Sequence, residues 1–591
     1  MKKKIMSVIV MVAVLVTMLS TTVFAASSPT TAKQVKDSMQ KAADWMAGNM
    51  YDNLDGESAI TITNQAAGPV FLLAKTGSTS DNVVKFENMF LAALKENIDD
   101  NGAVISGASS WGPYEEYATY ANVISALLAL GKDPKNFEGN NVVQMFATWL
   151  NSSQDNTITY ENYSPYNLLL EKAVLGYYKD FDAKFASEYA IADSAIMSTF
   201  VKTSTTSTDY VTNKNVSKYD TANVLSSFTI NTDYYYKDNG YLKVKNTDIV
   251  SALNGSSSIY APKFGMENDM YGGEPLLTVQ APFDGTGFFN AGFSADTDAK
   301  MSVALLSSKD STTEYATRDT VNPATISPKD AIAIALKNIT DATDATGLVD
   351  GFGFGGNANS TGLSLAAMSA FGKTSEASLM FNGLVTLQNA DGGFVYDGKK
   401  TDSDARATKD ALEGVTAYFF CITGLGSIYD LDANVSELAE AAETNQVEMT
   451  TPANATWVAS NGDWFTVSSP LPLSELLDIQ IDGKSVFGDY ISTDENGVMT
   501  FAAIGGGTIR VWEGSTYVSF SPEFMSTLGN GEHTVRIQST TGFAESTFTV
   551  QAATPSTGDA ANIAMYIAIA GVGAAVVTAA FVSKKRSSDC E

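Results

Sequence analysis

The sequence predicts a mainly α chain that runs on into a small β domain and a C-terminal transmembrane helix. Three observations predict it. Apolar residues recur at helical spacing from about Thr31 to Leu431, strand-like alternation takes over from Val447 to Val550, and an uncharged apolar run follows. The composition suits a folded chain. Of 591 residues 44% are hydrophobic and 17% are charged, which fits several buried cores and no long disordered tract. The 37 basic and 66 acidic residues leave a net charge of −29. A nucleic-acid partner is excluded on that balance, because a phosphate backbone requires a basic face, and anionic lipid is disfavoured too. With one histidine, His533, and two cysteines, Cys421 and Cys590, no ordinary Cys/His zinc site can be assembled, so no metal and no cofactor is expected.

The ends are read first. Residues 1–25 have the three parts of a secretory signal: Lys2, Lys3 and Lys4, the apolar run Ile5 to Leu19, and the small-residue site Val23-Phe24-Ala25. Residues 562–582 are long and apolar enough to span a bilayer. The basic tail 583–591, with Lys584, Lys585 and Arg586, marks the cytoplasmic side. Just before the span stand Thr554, Pro555, Ser556, Thr557 and Gly558. Pentapeptide, span and basic tail resemble the sorting signal of Gram-positive cell-wall proteins, with Thr554 where that family usually has Leu. The resemblance implies a sortase that cuts between Thr557 and Gly558 and joins the chain to peptidoglycan. The expected location is therefore extracellular, anchored to wall or membrane.

Between the ends, Tyr120, Val123, Ile124, Leu127 and Leu128 line one helix face. Leu363, Ala366, Ala367, Ala370 and Phe371 line a second, and Leu412, Val415, Phe419 and Ile422 a third. Gly131 and Gly372 follow the last apolar residue of their helices, as a left-handed C-cap requires. Three junctions recur, each a Gly-aromatic turn leading into an Ala-rich helix that begins near Asp296-Thr297-Asp298, Asn357-Ala358-Asn359 or Asp402-Ser403-Asp404. Their recurrence points to a helical repeat array.

Gln388-Asn389-Ala390-Asp391-Gly392-Gly393-Phe394 resembles the Q-x3-G-x-W repeat of squalene cyclases and protein prenyltransferases, with Phe for Trp. Gln154-Asp155-Asn156 is similar to a decayed copy. The resemblance implies an α/α toroid over residues 26–435 with a central cavity. Within it, 200–280 read as an elaborated loop region. Tyr234, Tyr235, Tyr236 and Tyr241 are the candidate ligand-binding platform there, against the plainer reading of a local aromatic cluster. The domain 447–550 looks like the immunoglobulin-like β-sandwich modules of bacterial surface proteins, with Gly529-Asn530-Gly531 as a hairpin turn and His533 in a packing role.

The chemistry of the resembled family is mostly missing. Squalene cyclases protonate an alkene with a D-x-D-D motif. Here Asp296-Thr297-Asp298-Ala299 lacks the last Asp, and helix capping is the alternative role for Asp296 and Asp298. The prenyltransferase zinc ligands are absent, and Cys421 is not followed by the residues of a thioester. No catalytic residue is expected beyond the weak candidates Asp296 and Asp298. The expected function is a non-catalytic surface protein that binds an extracellular ligand, a glycan, peptide or cobalamin-like molecule. The alternative is an extracellular enzyme with a cyclase-like or glycan-active cavity.

Overall fold

A computed structural model describes residues 30–552, apart from short internal stretches of which the longest are 157–164, 256–262 and 436–444. The signal 1–25, Gln154 and Asp155 of the decayed repeat, the pentapeptide 554–558, the span 562–582 and the tail lie outside the described residues. The chain divides into two compact units, Met1–Asn445 with Ser474–Leu477, and Gln446–Leu473 with Asp478–Glu591.

The first unit is built on twelve helices of eight residues or more among the described residues. These are α1 (Ala32–Leu54), α2 (Ala59–Thr76), α3 (Asp81–Asn97), α4 (Tyr117–Ala129), α5 (Val142–Ser152), α6 (Pro165–Tyr177), α7 (Ala183–Met197), α8 (Ala295–Ala304), α9 (Pro328–Asp341), α10 (Ala358–Ala370), α11 (Thr374–Val385) and α12 (Ala405–Ile422). The even-numbered helices form a closed circuit: α2 packs on α4, α4 on α6, α6 on α8, α8 on α10, α10 on α12, and α12 returns to α2. Their sequences suit an interior place. Every residue of α8 is buried, and α10 is buried from Ala358 to Ser369. Odd-numbered helices lie against them and carry one apolar stripe, as in α9, where Ala331, Ile332, Ala335, Leu336 and Ile339 are buried between solvent-facing lysines.

Small residues set the closest crossing. A Cβ at Gly362 of α10 would stand 2.2 Å from the Asp410 carbonyl oxygen, and one at Gly414 of α12 would stand 2.3 Å from the Gly362 oxygen. These two backbones therefore touch. The repeat-like turn 388–394 ties the end of the circuit to its start. The Gln388 side-chain amide donates to the Ser38 carbonyl oxygen at 3.0 Å, Ser38 Oγ donates to Gln388 Oε1 at 2.8 Å, and Trp45 Nε1 donates to Asp391 at 3.1 Å.

The expectation of a mainly α chain is overturned. Among the described residues helix makes up 44% and strand 23%, in several sheets. Among the described residues no helix is long and apolar enough to cross a membrane. One source of strand is the region read as an elaborated loop. Its strands β1 (Ser204–Tyr210), β2 (Tyr234–Tyr236), β3 (Leu242–Val244), β4 (Lys263–Glu267) and β5 (Leu276–Asp284) form one sheet, in which β5 pairs with β1, β3 and β4. Val211, Leu225, Leu242, Val244, Ile249, Phe264, Leu277 and Val279 give it a core of its own. The Thr- and Ser-rich β1 has strong β propensity but little hydrophobicity, so it reads as loop by pattern alone.

Three two-stranded sheets in the first unit add a little more, and most of the remaining strand lies in the second unit. One sheet contains β6 (Gln446–Glu448), β7 (Thr456–Val458), β9 (Leu476–Ile481), β10 (Lys484–Ser485), β15 (Gly531–Ser539) and β16 (Phe543–Gln551). The other orders β8 (Phe465–Ser469), β14 (Thr516–Phe520), β13 (Thr508–Trp512), β12 (Met499–Ala503) and β11 (Phe487–Thr493). The sheets meet through rings such as Phe465 and Phe548, 4.6 Å apart. Gly529-Asn530-Gly531 is not a hairpin turn. It leads from the short helix Pro522–Met525 into β15, while the β15–β16 hairpin turns at 540–542. His533 packs on Phe548 and lies 2.7 Å from both Asp482 and the Gly529 carbonyl oxygen.

Candidate functional site

A cavity of about 200 Å³ opens between the inner helices, lined by Asn64, Gly68 and Leu72 of α2, Asn122 of α4, Leu169 of α6, Lys300 of α8 and Lys409 and Glu413 of α12. Phe71, Ile428 and Tyr429 supply apolar wall. Helix periodicity places the polar set. Arg406, Lys409, Asp410 and Glu413 recur at i, i+3, i+4 and i+7 on one face of α12, and Asp296 and Lys300 are four apart on α8.

Lys300 pairs with Glu413, and the Tyr429 hydroxyl donates to the same carboxylate oxygen. Burial pushes the Glu413 carboxyl up, but the Lys300 and Lys409 ammonium groups and the two hydrogen bonds outweigh it and hold the group below its usual range. Asp410 accepts from Asn359 Nδ2 at 2.9 Å, with Lys409 Nζ at 3.5 Å and Arg406 Nε at 3.9 Å. Burial alone would lower Lys409, and the Asp410 and Glu413 carboxylates raise it overall. Lys409 lies on an inner helix, yet 46% of its side chain is accessible, because it faces this cavity. On α2, Gly68-Pro69 interrupts a helix interior, where glycine costs about 1 kcal/mol and proline about 3 kcal/mol relative to alanine. A local rule is broken where the cavity needs a missing side chain.

Asp296 and Asp298 part company. Neither caps α8, because Ser294 Oγ accepts from Thr297 N at 3.1 Å and is the N-cap; likewise Asn357, rather than Asn359, caps α10. Asp298 points away from the cavity. Its oxygens accept from Phe288 N at 2.7 Å and from Asn338 Nδ2 of α9 at 2.8 Å, and burial pushes its carboxyl up to about 7. Its position explains it. Asp298 is the fourth residue of α8, and the fourth residues of α10 and α12, Thr361 and Thr408, hold Val349 N at 2.9 Å and Phe394 N at 2.8 Å in the same way. Asp298 thus does a turn-fixing job that threonine does elsewhere. Asp296 is 3% exposed, and its Oδ1 has no hydrogen-bond partner among the described residues. Burial raises it, the Ser360 hydroxyl lowers it, and Asp410 raises it again, with a net rise.

The tyrosines do not form one platform. Tyr234 and Tyr236 pack edge to face, 6.0 Å apart, against the core of the inserted sheet. Tyr235 alternates away from them and donates to Glu274 at 2.9 Å. Tyr241 packs instead on Tyr210, 5.4 Å away. Among the described residues no group of three or more His, Cys, Asp and Glu side chains could hold a metal ion. Lys300, Lys409, Glu413, Tyr429 and Asn122 were not singled out in the sequence. The charged stripe on an otherwise apolar α12 and the Gly-Pro break in α2 are the signals that mark them.

No protein-family model matches this chain, and no curated protein does either.

Proposed function

We propose that the helical unit binds a small solute in the cavity at the centre of its inner helices, as a surface-anchored binding protein without catalysis of its own. The carrying observation is the Lys300–Glu413–Tyr429 cluster with Lys409 beside it. Buried ion pairs are seldom worth more to stability than apolar packing, so such a group at a cavity wall is better suited to recognition. The secretory signal and the sortase-type pentapeptide support a location outside the cell. The test is thermal unfolding of the purified protein with a chemically varied solute collection. A ligand present at about 100 times its Kd adds about 2.7 kcal/mol, a shift of a few degrees. At least one chemical class should stabilise the helical unit, and a flat response across the collection contradicts the proposal.

A second reading keeps an enzyme in view, on the strength of one observation. Asp296, buried, raised and beside Asp410, has the environment of a general acid. Asp296→Asn should then abolish any turnover measured on a bound solute while binding persists.

A further inference from the structure

We infer that the solute is a small organic anion, a carboxylate carried on an apolar body, and that Lys409 receives its charged group. This rests on the binding role proposed above. Charge at the cavity is unevenly shared. Lys300 is engaged by Glu413, which Tyr429 also contacts. Asp410 is then the nearest carboxylate for both Lys409, at 3.5 Å, and Arg406, at 3.9 Å, and it already accepts from Asn359 at 2.9 Å. Both cations thus share the one Asp410 carboxylate, each at a longer distance than the Lys300–Glu413 pair. In a chain of net charge −29, two lysines, Lys300 and Lys409, and a single carboxylate, Glu413, line this cavity. Lys409 is the cation that both lines the cavity and keeps nearly half its side chain accessible.

The apolar part of the lining fits the rest of such a solute. Phe71, Leu72, Pro69, Leu169 and Ile428 are apolar, and they suit a hydrocarbon or aromatic body. Asn122 adds an amide that lines the cavity and makes no hydrogen bond among the described residues, so it can donate to a second oxygen of the anion. A neutral amide or a cation of the same shape would offer the Lys409 ammonium no carboxylate beyond Asp410.

The experiment titrates the full chain with three probes of one shape, benzoate, benzamide and benzylamine, at neutral pH and low salt. Calorimetry is supplemented by ligand-observed NMR for weak binding. Benzoate should bind at least about tenfold tighter than either neighbour, the size of a lost charge-assisted contact. Lys409→Met should reduce it to the level of benzamide, and Lys409→Arg, which keeps the charge, should retain the preference. Benzamide or benzylamine binding as tightly as benzoate, or a preference that survives Lys409→Met, overturns the anion assignment and leaves the cavity's binding role standing. Failure of all three charge classes to bind overturns both.

Discussion

At the scale of single residues, Asp298 shows how a motif can be legible while its role is not. The pair Asp296 and Asp298 stands out in the sequence as acids at a helix start. Which one turns inward depends on a 200° difference in helical phase and on the partners α9 and α10 bring, and these are tertiary facts. The structural role has a pH signature. A carboxyl raised from 3.8 to about 7 keeps its proton in the fold where the unfolded chain has lost it. Its contribution is full below about pH 4 and is lost as pH rises through 7, at up to about 1.4 kcal/mol per pH unit for one proton. Asp298→Asn keeps an acceptor for Phe288 N but turns an amide towards Asn338. It should cost about 1–3 kcal/mol near pH 5, with the gap to wild type narrowing by pH 8. Denaturant melts across that range check this, and a constant gap contradicts the buried protonated carboxyl.

At the scale of elements, helix existence was written in the 3.6-residue spacing, and the C-caps in their glycines: Gly131 and Gly372 have φ of 67° and 65°. Turn 388–394 was legible through its Gln and glycines, but its companions at 98–104 and 343–349 were not. These share its antiparallel closure and a glycine of positive φ, Gly102 or Gly347, yet have Ile98 and Thr343 in place of Gln388. Backbone hydrogen bonds carry that repeat, and side-chain identity records it poorly. The strands of 204–284 were hidden for a related reason, since a sheet packed on a small core needs few apolar residues per strand. The α10–α12 crossing gives the sharpest test at this scale. Gly362→Ala puts a methyl against the Asp410 carbonyl and should cost about 3 kcal/mol or more, or prevent folding. Gly372→Ala meets no atom within 4 Å and should cost only the left-handed backbone strain of about 1–2 kcal/mol. Equal melting temperatures for the two variants would contradict the backbone contact.

At the scale of the whole molecule, composition limited the chemistry before any fold was known, and the charge of −29 is the background against which two lysines in one cavity lining stand out. The cavity itself was not legible. Its residues come from five inner helices and the loop at Ile428 and Tyr429, spread over more than three hundred positions, and only circuit closure brings them together. The proposed surface location makes a separate prediction. Mass spectrometry of cell-wall digests should recover a chain that ends at Thr557 joined to peptidoglycan. Recovery solely of membrane-bound chains extending to Glu591 contradicts anchoring by that route.

Gly68 offers the most direct test that the cavity is the binding site. A Cβ at this position meets only Asn122 Oδ1, at 3.9 Å, so a larger side chain can enter the cavity without displacing backbone. Replacing a mid-helix glycine should also stabilise α2, by up to about 1 kcal/mol. The measurement is calorimetric titration of the tightest solute from the thermal screen into wild type and Gly68→Leu. The variant should melt at or above the wild-type temperature and bind at least about tenfold more weakly, because its side chain occupies the solute's place. A Gly68→Leu protein that is equally stable and binds with unchanged affinity would place the solute elsewhere and contradict the cavity as the functional site.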